Sequence, residues 1–183
     1  MIKEIEDRRS IRHFLPNKVT NEQIKQIINA GIAAPSGKNK QPWRFDVITK
    51  ESARKKISEL LQAGAERLLQ AGEPVGTNKS TSRVVLEAPV FIAVFNNEKE
   101  DDPLSNLESI GACMENMCLE AQSMGLGTLW ICDIECCMDE MTEYLNHGDI
   151  PLVAGMAIGY ANEKPKARPR LDLDVVTRWN PVE

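Results

Sequence analysis

The sequence predicts one domain, residues 1–183, of mixed helices and strands and without a dinucleotide-binding unit. Three observations predict it. Segments with apolar residues every three or four positions read as amphipathic helices: Thr20–Ala34, Ser52–Gln70 and Leu104–Met124. Between them lie short apolar runs, of which Val90-Phe91-Ile92-Ala93-Val94-Phe95 suits a strand buried on both faces. Finally, Gly125-Leu126-Gly127 follows a helix and opens a strand. That is the reverse of a dinucleotide fingerprint, and the third glycine is missing. The chain has 183 residues, 42% of them apolar and 27% charged, which is ordinary for a globular domain with a real core.

In chain order, Ile2–Arg9 predicts a short helix. Arg8-Arg9-Ser10-Ile11-Arg12-His13-Phe14 follows. If this piece is extended, Arg8, Ser10 and Arg12 share one face and Ile11 takes the other. Two guanidinium groups flanking a hydroxyl can cradle an anion, or form a solvated basic patch. Thr20-Asn21-Glu22-Gln23 fits a capping box, and Ile24, Ile27, Ile28 and Ile32 make one apolar stripe up to the break at Pro35. From Ile32 to Phe45 the chain is polar and proline-bounded. Ser36, Gly37, Lys38, Asn39 and Gln41 can present side chains or bare amides, so this is either a binding rim or a plain connection. Trp43–Thr49 reads as a strand with Trp43, Phe45 and Val47 on one face. Ser52–Gln70 follows as a helix with Ile57, Leu60, Leu61 and Leu68 inward.

Ala71–Ser82, rich in glycine, proline and polar residues, predicts a loop. Pro89–Phe95 is the buried strand, and Asn96–Asp102 an acidic surface turn. Leu104–Met124 carries the stripe Leu107, Ile110, Gly111, Met114, Met117, Cys118 and Ala121, which suits the core or a close helix contact. The glycines at 125 and 127 end that helix. Thr128–Cys132 is a strand, a helix begins at Asp133 or Glu135 and runs to about Leu145, and Leu152–Ile158 is a further strand. Lys164-Pro165-Lys166-Ala167-Arg168-Pro169-Arg170 is a second basic cluster, stiffened by prolines. Two such clusters at opposite ends of an acidic chain suggest one anion held from both. The terminal arm, with Val175, Val176 and Trp179, suggests docking on a partner subunit.

The net charge of −5 argues against a nucleic-acid binder. No apolar run approaches a membrane span, and no apolar signal region opens the chain. Five cysteines (113, 118, 132, 136 and 137), an odd number, predict reduced thiols in a cytoplasm, mostly buried and unreactive. Cys132, Cys136 and Cys137 lack a C-x-x-C pair and nearby histidines, so no metal is expected. His13 and His147 are expected to be exposed or capping.

Arg8-x-Ser10-x-Arg12, Pro35-Ser36-Gly37-x-Asn39-x-Gln41-Pro42-Trp43, Gly125-Leu126-Gly127-Thr128-x-Trp130-Ile131, Gly159-Tyr160 and Arg168-x-Arg170 occur in an order that resembles the nitroreductase family of FMN-dependent oxidoreductases. The resemblance covers nearly the whole chain. It implies an α+β fold, a mostly antiparallel central sheet flanked by helices. It also implies an intertwined homodimer with two FMN sites at the interface.

Carried over residue by residue, the resemblance implies that Arg8, Arg9 and Ser10 meet the phosphate and ribityl chain. Arg12 would lie near the flavin N1 and C2 carbonyl, where a cation favours hydride acceptance. Pro35, Ser36, Gly37 and Asn39 would reach the flavin of the other subunit. Leu129, Trp130, Ile131 and Cys132 would run along the isoalloxazine, offering backbone amides near N5 and O4. Arg168 and Arg170 would complete the phosphate site, and Arg83 is a further candidate. Two departures from the family pattern are Gly37, often serine, and Cys132, commonly glycine. The implied reaction is ping-pong. NADH or NADPH reduces FMN, which reduces a nitroaromatic, quinone or similar small acceptor, with no side chain as nucleophile or base. Two other readings are an FMN storage or sensing protein without efficient turnover, and a sister flavin dehydrogenase or dehalogenase.

Overall fold

The computed structural model describes residues 1–76, 78–97 and 103–181. Its helices are α1 (Lys3–Asp7), α2 (Asn21–Ile32), α3 (Glu51–Gln70), α4 (Asn78–Glu87), α5 (Pro103–Ser123), α6 (Met138–Tyr144) and α7 (Leu173–Val176). Its strands are β1 (Trp43–Ile48), β2 (Val90–Asn96), β3 (Gly127–Ile131) and β4 (Leu152–Gly159). They form one sheet in the order β1-β2-β4-β3, with antiparallel neighbours throughout. This is the α+β arrangement the resemblance implied. None of the helices among the described residues is long and apolar enough to cross a membrane.

Both faces of the sheet are covered, because successive side chains of a strand point to opposite sides. On one side of β2, Phe91, Ala93 and Phe95 share a core with Ile57 and Leu61 of α3, Val84 and Val85 of α4, and Met141 of α6. On the other, Val90, Ile92 and Val94 pack with Ile27 of α2 and with Ile110, Met114 and Met117 of α5. The continuous apolar run of β2 is therefore explained: each of its first six residues is buried.

Helix α2 starts where its capping box lies. The Gln23 amide donates to Thr20 Oγ1 at 3.1 Å, and the Thr20 amide donates to Gln23 Oε1 at 3.0 Å. Thr20→Ala leaves the Gln23 amide without its acceptor. It should cost about 1 kcal/mol, read as a lower midpoint in urea with an unchanged slope.

Several expectations are corrected. The predicted loop Ala71–Ser82 runs into α4, which begins at Asn78. Thr81, Val84, Val85 and Ala88 are buried at helical spacing behind its polar opening. Ile32 ends the α2 stripe on the outside and Gly31 takes the inner position. Leu107 of α5 is likewise exposed, whereas Asn106 and Ser109 turn inward. Val47 of β1 is exposed. The acidic turn at 98–102 lies outside the described residues. His147 is not a surface histidine: its Nε2 meets Asp46 Oδ1 at 2.9 Å, and its ring stacks on Phe95 at 3.8 Å. Cys113, Cys118 and Cys137 are buried as expected, but Cys132 is exposed and Cys136 half-buried. Burial pushes the Cys113 thiol up to about 12 and Cys118 up to about 11, so both stay protonated at neutral pH.

Candidate functional site

The N-terminal segment after α1 is extended and lies over the end of the sheet. Gly127 and Gly159 face each other in the β3–β4 register and leave room for it. A Cβ at Gly127 would stand 2.6 Å from Ile11 Cγ1, and one at Gly159 would stand 2.9 Å from Phe14 Cδ1. Real side chains do not approach so closely, so the two glycines are what let Ile11 and Phe14 sit down. Backbone bonds then fix the segment. Ile11 N–H donates to Thr128 O at 2.9 Å, Leu15 N–H to Tyr160 O at 2.8 Å, and Asn162 N–H to His13 O at 2.9 Å. Glu163 Oε1 accepts the amides of Arg12 and His13.

With Ile11 turned inward, the polar residues around it face outward beside the chain that leaves β4. Arg8, Arg9, Ser10 and Arg12 line a pocket of about 200 Å³ together with Pro165, Lys166, Arg168 and Arg170. The two basic clusters converge, as the sequence suggested. Arg9 and Lys166 join the alternating set, so the face is broader than strict strand alternation gives. Among the described residues no carboxylate lines this pocket. Arg8 Nε meets Glu115 Oε1 at 3.3 Å. Among the described residues, Arg9, Arg12 and Arg170 reach nearby backbone carbonyls. Six cationic side chains around one hydroxyl make a site for a multiply charged anion such as a phosphate.

Strand β3 leads away from this pocket. Leu129 and Ile131 are buried in the core below the sheet, so their side chains cannot meet a ligand. Trp130 lies over Gly111 of α5, where its Cη2 stands 3.7 Å from the position of a Cβ. Cys132, just beyond the strand, is exposed, and burial together with Asp133 pushes its thiol up.

The Ser36–Gln41 loop is a separate feature. Its Gly37–Asn39 turn is closed by Asn39 N–H to Ser36 O at 2.9 Å and by Gln41 N–H to Ser36 Oγ at 3.0 Å. Lys38, Asn39 and Gln41 all have positive φ, at 52°, 56° and 50°. Three non-glycine residues in the left-handed region mark a strained, tightly held loop, a feature concentrated at functional sites. The loop is held by α5: Gly37 N–H donates to Ser109 Oγ at 3.4 Å, and a Cβ at Gly37 would stand 2.5 Å from Ser105 Oγ. Ser109 is six residues before Glu115, the partner of Arg8, hence about 9 Å along the helix axis.

A single chain thus brings Arg8, Arg9, Ser10, Arg12, Arg168 and Arg170 together and leaves Pro35, Ser36, Gly37 and Asn39 apart from that pocket. Arg83 pairs with Glu87, four residues on, and does not line it. Sequence reasoning missed Lys166 as a lining residue, Glu163 as the clasp of the N-terminal segment, and Ser109 as the support of the loop. Lys166 was visible as part of a basic cluster. The other two act across 151 and 72 residues, where no local pattern can reveal them.

A four-stranded antiparallel sheet covered on both faces, with a cation-lined pocket where the two chain ends meet, defines an α+β domain equipped to hold an anionic ligand. The model of the nitroreductase family matches residues 5–160, and the chain belongs to that family. It is 31% identical over 130 residues to an Archaeoglobus fulgidus protein named as an NADH dehydrogenase/NAD(P)H nitroreductase, covering 71% of this chain and 66% of that one. It is 30% identical over 199 aligned positions to the FMN reductase [NAD(P)H] of Bacillus subtilis, covering 96% of this chain and 72% of that one. The matched part spans less than two thirds of the Archaeoglobus relative's length and 72% of the Bacillus one's. Among solved structures, a candidate nitroreductase of Desulfovibrio desulfuricans in complex with FMN has a TM-score of 0.80 at 27% identity, covering 99% of this chain and 96% of that one.

Proposed function

We propose that the chain binds FMN and acts as an NAD(P)H-dependent flavin oxidoreductase. The observation that carries this reading is the pocket in which Arg8, Arg9, Ser10, Arg12, Arg168 and Arg170 converge, with no carboxylate among its described lining residues. Its charge and hydroxyl suit the phosphate and ribityl chain of FMN. The names of the Bacillus and Archaeoglobus relatives and the FMN in the Desulfovibrio structure support the same assignment. When bound, FMN supplies hydride exchange between a nicotinamide and an electron-poor acceptor, the chemistry that protein side chains lack.

The chain's own part is binding and orientation. Arg168 and Arg170, which form no ion pair among the described residues, would neutralise the phosphate. Arg12 would place positive charge near the reducible ring and favour its reduced state. The backbone of β3 from Leu129 to Cys132 would offer amides along the ring edge. Pro35, Ser36, Gly37 and Asn39 would be supplied by a second copy of the chain, because in one copy they stand apart from the pocket. The terminal arm supports a homodimer: Leu171, Leu173, Val175, Val176 and Trp179 are all exposed, Trp179 at 78%. So much uncovered apolar surface in one segment suits a docked partner. The acceptors proposed are nitroaromatics, quinones and similar small electron-poor molecules, reduced in ping-pong order. The proposed location is the cytoplasm.

The test is an anaerobic visible spectrum of the protein reconstituted with FMN, freed of excess and mixed with NADH or NADPH. Retained yellow colour that bleaches on mixing is the expected result. Retention without bleaching by either donor would favour storage or sensing. Failure to retain flavin would overturn the assignment of the pocket.

A further inference from the structure

Beside the cationic pocket lies a second cavity of about 370 Å³. It opens where α5 passes into β3, next to the segment after α1 and the chain that leaves β4. The two cavities are neighbours, because Arg9 and Pro165 line both. Strand β3 fixes their order. Ser10 of the cationic pocket bridges Thr128. Gly125, Leu126 and Gly127, just before that bridge in the chain, line the second cavity. Leu129–Cys132, the stretch proposed to follow the flavin ring, lies just after it. Along β3, the cationic pocket therefore stands between the ring edge and the second cavity.

The chemistry of the second cavity is different. Ile11 and Leu126, both buried, give it an apolar floor. Gln122 brings an amide that can donate and accept. Asp7 and Glu163 bring carboxylates, and neither lines the cationic pocket. Glu163 is held in place by the amides of Arg12 and His13. Carboxylates repel a phosphate, but they accept hydrogen bonds from ribose hydroxyls and from an exocyclic amine. An apolar floor under such groups suits a flat base with its sugar, the usual pattern of a small-molecule site. Positive charge sits at the junction, where Arg9 lines both cavities and Lys164 adjoins the shared Pro165.

We propose that the second cavity is an adenosine subsite, so that the chain binds FAD as well as FMN and holds FAD the more tightly. The inference rests on the flavin reading of the cationic pocket. The flavin mononucleotide half occupies the cationic pocket as FMN does. The second phosphate lies at the junction, where Arg9 and Lys164 meet it with charge-assisted hydrogen bonds. Joining a nucleotide to the first phosphate spreads the negative charge over two groups, and the cations here are likewise spread over two cavities. The adenine rests on Ile11 and Leu126 beside the Gln122 amide, and the ribose hydroxyls face the carboxylates.

The test is binding by the full chain freed of flavin. FMN and FAD are titrated separately by calorimetry, and each bound flavin is identified by chromatography after denaturation. The expected result is one flavin per chain, with FAD the tighter. Gln122→Trp fills the cavity from α5, and residue 122 does not line the cationic pocket. It should weaken FAD about tenfold and leave FMN unchanged, and the retained FMN shows that the variant is folded. FMN bound by the parent with FAD excluded or no tighter would overturn the subsite and leave the flavin reading standing. Equal losses of both flavins in Gln122→Trp, or unchanged FAD binding, would do the same. Retention of neither flavin by the parent would overturn both readings.

Discussion

Replacing Arg168 and Arg170 together by glutamine is expected to weaken FMN binding roughly a hundredfold and to leave riboflavin binding unchanged. Both arginines line the cationic pocket, both are exposed, and neither pairs with a carboxylate among the described residues. Among the described residues Arg170 Nη1 reaches the carbonyls of Arg168 and Pro169. Their removal therefore breaks no ion pair and should hardly change the stability of the ligand-free chain. A hydrogen bond to a charged group contributes about 1.5–3 kcal/mol. Solvent screening puts each of these at the low end, about tenfold per residue. Riboflavin lacks the phosphate, so it isolates that contribution. Equal losses for both ligands would mean that the segment shapes the pocket without reading charge. An unchanged FMN affinity would place the phosphate elsewhere. Fluorescence quenching of each ligand during titration provides both constants.

Phe91→Ala should lower the stability of the domain by about 3–5 kcal/mol, the usual cost of emptying a phenyl-sized core position. That is a large fraction of the total of about 5–15 kcal/mol available to a domain. Phe91 is fully buried in the middle of the sheet, among side chains from α3, α4 and α6. Its ring lies over β4, where a Cβ at Gly155 would stand 2.6 Å from Phe91 Cε2 and Cζ. Ring and glycine fit as one unit, across the pair of strands that joins the two halves of the sheet. Gly155→Ala alone should cost about 1–3 kcal/mol through overpacking. Combined with Phe91→Leu it should cost less than the two changes summed, since the smaller side chain makes room. Denaturant midpoints of the four proteins measure this cycle. Strict additivity would mean that the ring can turn away and that the notch at Gly155 is incidental.

The parts of the fold legible in the sequence are those governed by short-range chemistry. The capping box at Thr20 and Gln23 closes over four residues, so its pattern alone places the start of α2. The stop of α5 at Gly125, with φ of 72°, is local in the same way. The apolar run of β2 announces burial on both faces because it has no polar side to offer water. Helix α4 was not legible. Its first residues carry turn chemistry, and its apolar spacing becomes helical only when Val84 and Val85 find α3 and the sheet. Nor was the setting of His147 legible. Its partner Asp46 lies on β1, a hundred residues earlier in the chain, and Phe95 lies on β2.

The candidate site divides along the same line. Arginines around Ser10 and again at 168 and 170 are plain in the sequence, and they already limit the ligand to an anion. That both clusters line one pocket is a tertiary fact. It rests on Gly127 opposite Gly159, on the segment these glycines admit, and on the clasp at Glu163. The sequence by itself determined the local elements and the charge of the ligand, because helix caps, strand alternation and ionisation are properties of neighbouring residues. The tertiary structure alone decided which cations meet and which glycines must stay small. Those outcomes depend on close packing between segments far apart in the chain, and no local pattern records that packing.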